Sequence, residues 1–441
     1  IHQVRCRNRD CAIMENHDIT VDQLYDQFVA PTYGRFPIHP KRGKGVDLWD
    51  EEGKHYLDFG AGVAVNSLGH AHPALLEVFE SQPSDLLHCS NLYQPRGQGE
   101  LARMLTEQVV QAPGKCFFSN SGTEANEGLI KLARRFGEAV PASSGKPRRD
   151  IISFLGSFHG RSTGAMAATG QEKVRAGFGP LMGNFVHLPF NDIEAFHQGL
   201  TEDSVAVLLE AVQGEGGVRI ATPEFLVAVA ETCRERNMLL LLDEVQCGMG
   251  RCGELNGWSA IGETSGIVPD GISWAKGMGA GFPIGAIWFK DRPAGEVSLC
   301  DLLGPGSHGA TYGGSPMACA IAKVVIETIT SEQLEKNAAI LGERIINEAK
   351  SRGLPMISAV RGLGLMIGFQ LDLDTIAGVA GFAGEDRAAS VVVVDALAKE
   401  GLLTVPAGPD VVRWLPPLVV AEADIDKAFD IMDKVLNKLI T

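Results

Sequence analysis

Lys276, in the run WAKGMGAGFPIGAIWF, stands between an apolar strand and a glycine-rich loop, where Gly277, Gly279 and Gly281 let other groups approach the backbone closely. A lysine desolvated there favours its neutral amine, the form that adds to a carbonyl to give a Schiff base. Asp243 ends the run LLLLD, and a carboxylate buried at a strand end is costly without a positive partner. A protonated heterocyclic nitrogen would supply that partner. In SNSGTEANEG, Ser121 and Glu124 have capping-box spacing, and Ala125, Leu129, Leu132 and Phe136 form a helical apolar stripe. The spacing predicts a helix that starts here, with the N–H groups of Gly122 and Thr123 at its positive end, where an anion binds. Each segment also has a plainer reading: a lysine reaching to solvent, an aspartate capping a turn, a capped helix with no ligand.

The elements that position these residues are legible as alternating apolar runs and amphipathic stretches. CFF at 116–118, IISF at 151–154, VAVLL at 205–209, MLLLL at 238–242 and IGAIWF at 284–289 read as strands of a mainly parallel α/β sheet with helices on both faces. Ligands of such sheets sit beyond the carboxyl ends of the strands, which is where Asp243 and Lys276 fall. From about Ser331 the pattern becomes a long helix, a strand in LGLMIGFQL, then helix, strand and helix. The early run GVDLWDEEGKHYLDFG reads as a hairpin. The expected organisation is a large domain at 70–330 and a smaller α+β domain assembled from 14–69 and 331–441.

Composition narrows the function classes. The formal net charge is −15, with 45% hydrophobic and 21% charged residues, values of an ordinary globular chain with no basic patch for nucleic acid or a membrane surface. No apolar run reaches the length of a membrane span, and no secretory signal precedes Met14, read here as the start. Nine scattered cysteines fit reduced thiols in a cytoplasm. GMGRCG at 248–253 is a formal dinucleotide motif in the wrong context, since no apolar helix follows it. His70 and His72 in GHAHP lack a third ligand, so no metal site is expected.

Together, Lys276, Asp243 and the Gly122–Thr123 cradle are the set that pyridoxal phosphate requires: an amine for its aldehyde, a carboxylate for its ring nitrogen and a seat for its phosphate. The motifs YGRFP, LDFGAGVAVNSLGHAHP, FFSNSGTEANE, SFHGRSTGAMAATGQ, QGEGGV, LLDEVQCGMGR, WAKGMGAGFPIGA and GSHGATYGGSPMAC follow one another in order. The chain resembles the class III, fold type I pyridoxal-phosphate aminotransferases over most of its length, and within them the acetylornithine branch.

That resemblance implies a fold type I sheet of seven-stranded type in a homodimer with shared sites. It implies that Lys276 holds the cofactor covalently and shuttles a proton, and that Asp243 pairs with the ring nitrogen. Val245 and Phe158 would pack on the two ring faces, and Gln246 would bond the ring hydroxyl. Gly122, Thr123 and the neighbouring subunit's copy of Thr311 would take the phosphate. Arg161, assisted by Tyr33, would bind the carboxylate of the distal-amine donor, and Arg413 that of glutamate or 2-oxoglutarate, with Glu215 covering Arg413 in between. The implied reaction moves the distal amine of N-acetylornithine to 2-oxoglutarate. Ornithine, succinylornithine, succinyldiaminopimelate and 4-aminobutyrate are alternative donors, and an aminomutase on the same fold is a further alternative. Ala310 stands where that branch usually has a substrate-contacting Ser, a hydrogen bond worth about 0.5–1.5 kcal/mol. Cys247 and Cys252 replace threonines, and a thiol beside the cofactor predicts sensitivity to oxidation.

Overall fold

Seven strands make the central sheet: β1 (Gly114–Ser119), β2 (Asp150–Phe154), β3 (Phe185–Leu188), β4 (Ser204–Leu209), β5 (Leu239–Asp243), β6 (Gly271–Trp274) and β7 (Gly285–Lys290). This computed structural model describes residues 19–262, 264 and 266–440. Met14, the arginines before it, Cys6 and Cys11 lie outside the described residues. The spatial order is β1-β7-β6-β5-β4-β2-β3. β7 runs antiparallel to both its neighbours, and the remaining neighbouring pairs are parallel.

The strands read as unbroken apolar runs because both faces are covered. Along β4 and β5 every residue is buried, and successive side chains alternate between two core clusters. Val207, Leu209, Leu240 and Leu242 point into one, Leu208, Leu239 and Leu241 into the other. The helix Gly122–Ala139 packs over β6 and β7, with Ala125, Leu129, Leu132 and Phe136 fully buried as its periodicity predicts. β3 is absent from the strands read in the sequence. It is a four-residue edge strand, FVHL, half-buried throughout and interrupted by His187, so neither an apolar run nor an alternation marks it.

The hairpin expected near the N-terminus forms from Asp47–Asp50 and His55–Asp58. Leu402–Leu403 adds to it in parallel, so distant parts of the chain share one four-stranded sheet. The single strand read in LGLMIGFQL is the second half of another hairpin, Ile357–Leu363 with Met366–Leu371, which Val411–Trp414 extends. Gly364 makes the turn at φ +53°, where a Cβ would lie 2.4 Å from the Arg251 carbonyl oxygen. Trp414 ties these layers together, its ring centroid 5.1 Å from Phe59, 4.7 Å from Phe369 and 5.1 Å from Phe429. The helix Leu334–Arg352 begins three residues after the expected Ser331, and Glu422–Ile440 is the last helix.

Candidate active site

The ends of β4, β5 and β6 and the start of the Gly122–Ala139 helix surround one cavity of about 360 Å³, a volume that suits a small cofactor with substrate. Asp243 closes β5 at its carboxyl end and is 3% exposed. Three donors hold it: Asn126 Nδ2 at 2.7 Å and His159 Nδ1 at 2.8 Å on Oδ2, and the Val245 N–H at 3.0 Å on Oδ1. Asn126 is fixed in turn by Ser273 Oγ at 2.7 Å. These donors fix the orientation of the carboxyl at the cavity wall, where a cationic ring nitrogen would be a complementary partner.

Lys276 follows β6 directly and adopts φ +42°, a left-handed conformation rare for a side-chain-bearing residue and held here by a short 3₁₀ turn. Its side chain lines the cavity, and no protein group accepts a hydrogen bond from its amine among the described residues. Desolvation pulls the amine below the ordinary lysine range, although Glu215, Asp243 and Glu210 oppose it. The amine is therefore readied as a nucleophile.

At the opposite wall, Ser121 caps the helix by accepting from the Glu124 N–H at 3.3 Å. The reciprocal half of the box is displaced by one residue, since Glu124 reaches back to the Asn120 N–H at 2.6 Å. Among the described residues, the N–H groups of Gly122 and Thr123 have no protein acceptor, and both residues line the cavity. They form an anion seat at the helix's positive end. Gly122 must be glycine: a Cβ there would come within 2.6 Å of Val245 Cγ1. Gly160, at φ +140°, lies against Thr123, and a Cβ would meet Thr123 Oγ1 at 2.3 Å. Ser162 Oγ bonds Thr123 Oγ1 at 2.6 Å and Glu127 at 2.7 Å, fixing the seat.

Phe158, Val245, Gln246 and Arg161 also line the cavity, with the Arg161 guanidinium 5.8 Å from the Phe158 ring centre. Behind Gln246 lies an arginine only 1% exposed, Arg413. It donates to Gln246 Oε1 at 2.7 Å and to Glu215 Oε1 at 2.9 Å. Ala310 lies instead beside a separate cavity, and Thr311 and Tyr33 are exposed and line neither. Within one chain these three are not brought to the site.

His159, Asn126 and Glu210 are site residues that sequence reading missed. Glu210 directly follows β4 much as Asp243 ends β5, the same strand-end signal, and its Oε2 accepts from the Phe158 N–H at 3.0 Å. His159 adjoins Phe158 in the FHGR motif. His70 and His72, by contrast, are committed elsewhere: His70 to Asp58 at 2.8 Å, and His72 as the cap accepting from the Ala74 N–H. The oxidation sensitivity expected of Cys247 is corrected by its position. Its sulfur is fully buried, donates to the Val212 carbonyl at 3.1 Å and does not line the cavity. A contact with Cys252 and burial hold its thiol well above the usual range, so thiolate chemistry is suppressed. The GMGRCG segment forms turns and starts no helix.

An unpaired, desolvated amine, a carboxylate with three donors and two free N–H groups at a helix start fit pyridoxal phosphate on the three counts it requires. The family model for aminotransferase class-III matches residues 28–436. The acetylornithine aminotransferase of Caldanaerobacter subterraneus subsp. tengcongensis is 44% identical over 417 residues, covering 94% of this chain and 98% of that one. Among solved structures, N-acetylornithine aminotransferase from Stenotrophomonas maltophilia is 32% identical with a TM-score of 0.76, covering 92% of this chain and 98% of that chain. The ornithine aminotransferase of Toxoplasma gondii is 28% identical with a TM-score of 0.84, covering 95% and 94%. Sequence, fold and cavity thus agree, and the chain belongs to the class-III aminotransferases, with the fold type I architecture and the pyridoxal-phosphate-dependent transamination of that family.

Proposed function

We propose that this enzyme transfers the distal amino group of N-acetylornithine to 2-oxoglutarate, giving N-acetylglutamate semialdehyde and glutamate, a step of arginine biosynthesis in the cytoplasm. The observation that carries the reading is the Arg413–Glu215 pair beside Gln246, reinforced by relatives named for acetylornithine. A buried guanidinium with a removable carboxylate partner accepts a substrate α-carboxylate when one is present and is masked when the donor carries its amine elsewhere.

Pyridoxal phosphate, when bound, supplies the electron sink that makes the carbon bearing the amine acidic. Asp243, oriented by Asn126, His159 and the Val245 N–H, would pair with the ring nitrogen and hold a proton there. Lys276 Nζ, whose affinity for a proton desolvation lowers, would hold the cofactor's aldehyde carbon and would be the group that moves the proton at the reacting carbon. Gly122 and Thr123 seat the phosphate, joined by the partner copy's own version of Thr311. Phe158 and Val245, which line the cavity, would hold the ring between them, and Gln246 would bond its hydroxyl. Arg161, with Tyr33, takes the donor carboxylate at the cavity mouth, near Ala310 from the second copy.

The dimer belongs to this proposal, since Thr311, Ala310 and Tyr33 do not line this cavity within one chain and would reach it from a second copy. So does the division into a large domain at 70–330 and a small one from 14–69 and 331–441, which the sheet shared by His55–Asp58 and Leu402–Leu403 supports.

The test is to mix the pyridoxal-phosphate form, without keto acid, with N-acetylornithine, ornithine and 4-aminobutyrate in turn and follow the cofactor's absorbance. Selective conversion by N-acetylornithine is expected. Preference for an unacylated amine would overturn the donor, and no conversion with any would return the aminomutase alternative.

A further inference from the structure

Two buried carboxyl groups, Asp243 and Glu210, line the same cavity at the ends of neighbouring strands, 3% and 5% exposed. Their surroundings differ. Asp243 receives three hydrogen bonds spread over both oxygens, whereas Glu210 receives one, from the Phe158 N–H to Oε2, and no cation bonds it. Carboxyls sharing a desolvated site separate into one ionised and one protonated group, and the better-solvated member carries the charge.

We infer that Glu210 is the neutral acid of this site, accepting from the Phe158 N–H on Oε2 and offering its Oε1 hydroxyl as a hydrogen-bond donor to whatever occupies the cavity. This rests on the transaminase reading only for the identity of that occupant. The charged groups facing Glu210 are Asp243 from β5, Lys276 from the turn after β6 and Glu215 from the loop after β4. Burial first, then Asp243 and Glu215, push its carboxyl up, while Lys276 and the Phe158 N–H pull it down, and the balance is upward. Glu210 thereby fixes the backbone of Phe158, one wall of the cavity, without adding a second negative charge beside Asp243.

The experiment is infrared spectroscopy of the full chain as purified, at neutral pH, comparing wild type, Glu210→Gln and Glu244→Gln. The wild type minus Glu210→Gln difference is expected to show a protonated-carboxyl stretch distinct from the Glu244 stretch that the wild type minus Glu244→Gln difference isolates; its absence overturns the assignment. If Glu210→Gln does not fold, the Glu244→Gln spectrum decides, since a carboxyl band that persists there supports a second buried acid and a blank spectrum refutes it. Titration of added pyridoxal phosphate gives a second readout. Glu210→Gln keeps the dissociation constant within about threefold, because the amide accepts and donates as the acid does, and Glu210→Asp weakens it roughly tenfold or more. Equal weakening by both variants would mean that the carboxylate is required, against the inference. Failure of every amino donor would refute the proposed function and leave these spectra unchanged.

Discussion

Arg413 and Glu215 meet at 2.9 Å behind Gln246, which lines the cavity and bridges them, accepting from Arg413 at 2.7 Å and donating to Glu215 at 3.3 Å. Arg413 is 1% exposed, so a lone guanidinium there would be costly, and Glu215 pairs with it; on the proposed reading a substrate carboxylate would take the place of Glu215. Arg413→Lys loses bidentate recognition and raises KM for 2-oxoglutarate about 10- to 100-fold, with a smaller effect on the half-reaction of the acylated donor. Glu215→Gln unmasks Arg413 and shifts preference toward glutamate as donor. Burial pushes the Glu215 carboxyl up, but Arg413, Lys276 and Gln246 outweigh it and hold it below the ordinary range. A depressed value means the pair persists above the unfolded pKa and is lost as pH falls through the folded one, so wild type approaches the Glu215→Gln pattern only in acid. Donor-specific half-reaction rates across pH check both statements.

Gly122 and Val245 touch across the anion seat. A methyl group on Gly122 forces Val245, which the Asp243 carboxylate also fixes through its N–H, to move. Gly122→Ala weakens cofactor binding by about 1–3 kcal/mol through overpacking. Val245→Ala in the same chain restores most of it. Equilibrium titration of pyridoxal phosphate into the four chains of this double-mutant cycle measures the coupling, and strict additivity would deny the contact.

The chemistry of this site was legible where one segment carries both the element and the reactive residue. Lys276 and Asp243 each follow an apolar strand, and Ser121 announces a helix start, so strand-end reasoning places all three. The same rule would have found Glu210, which was passed over because its strand, VAVLLE, ran into a motif read only for Glu215. His159 and Asn126 act through Asp243, more than 80 residues away from each, a separation that no local pattern encodes. Edge strand β3 escaped because a half-buried four-residue strand needs no regular alternation. Tyr33, Ala310 and Thr311 gain meaning only if a second chain completes the cavity.

Glu244, next to Asp243, is buried and caps the turn at Gly257, accepting from the Gly257 N–H at 2.6 Å and the Trp258 N–H at 3.3 Å. Burial pushes its carboxyl up from an ordinary 4.5 to about 8, despite those two donors. A raised folded value means the group's contribution to stability is full below 4.5 and is lost as pH rises to about 8. Glu244→Gln therefore narrows the decline in melting temperature over that window, by an amount on the order of a few kcal/mol of stability. Thermal melts of the two chains across the window measure it, and parallel curves would show Glu244 ionised throughout.

Leu87, Leu92, Tyr93 and Tyr312 are exposed by 56%, 89%, 69% and 65%, more apolar surface than a monomer usually leaves in one place. Asn91 joins their two segments by donating to the carbonyls of Ala310 and Gly313 at 3.1 and 2.9 Å, and the Tyr312 and His88 rings lie 5.3 Å apart. A second copy seated on this face would carry Thr311 to the first copy's anion seat. Complementation tests the arrangement. Lys276→Ala and Thr311→Asp chains are each expected to be inactive as homodimers. In a mixed dimer, one site combines both defects while the other combines intact Lys276 with intact Thr311, so activity returns on refolding the two together. If Thr311 served its own chain's site, every site in the mixture would keep one defect and no activity would return. Leu92→Asp, which charges the apolar face, should abolish the recovery and shift the chain to a monomer by sedimentation, and a dimer that survives it would place the interface elsewhere.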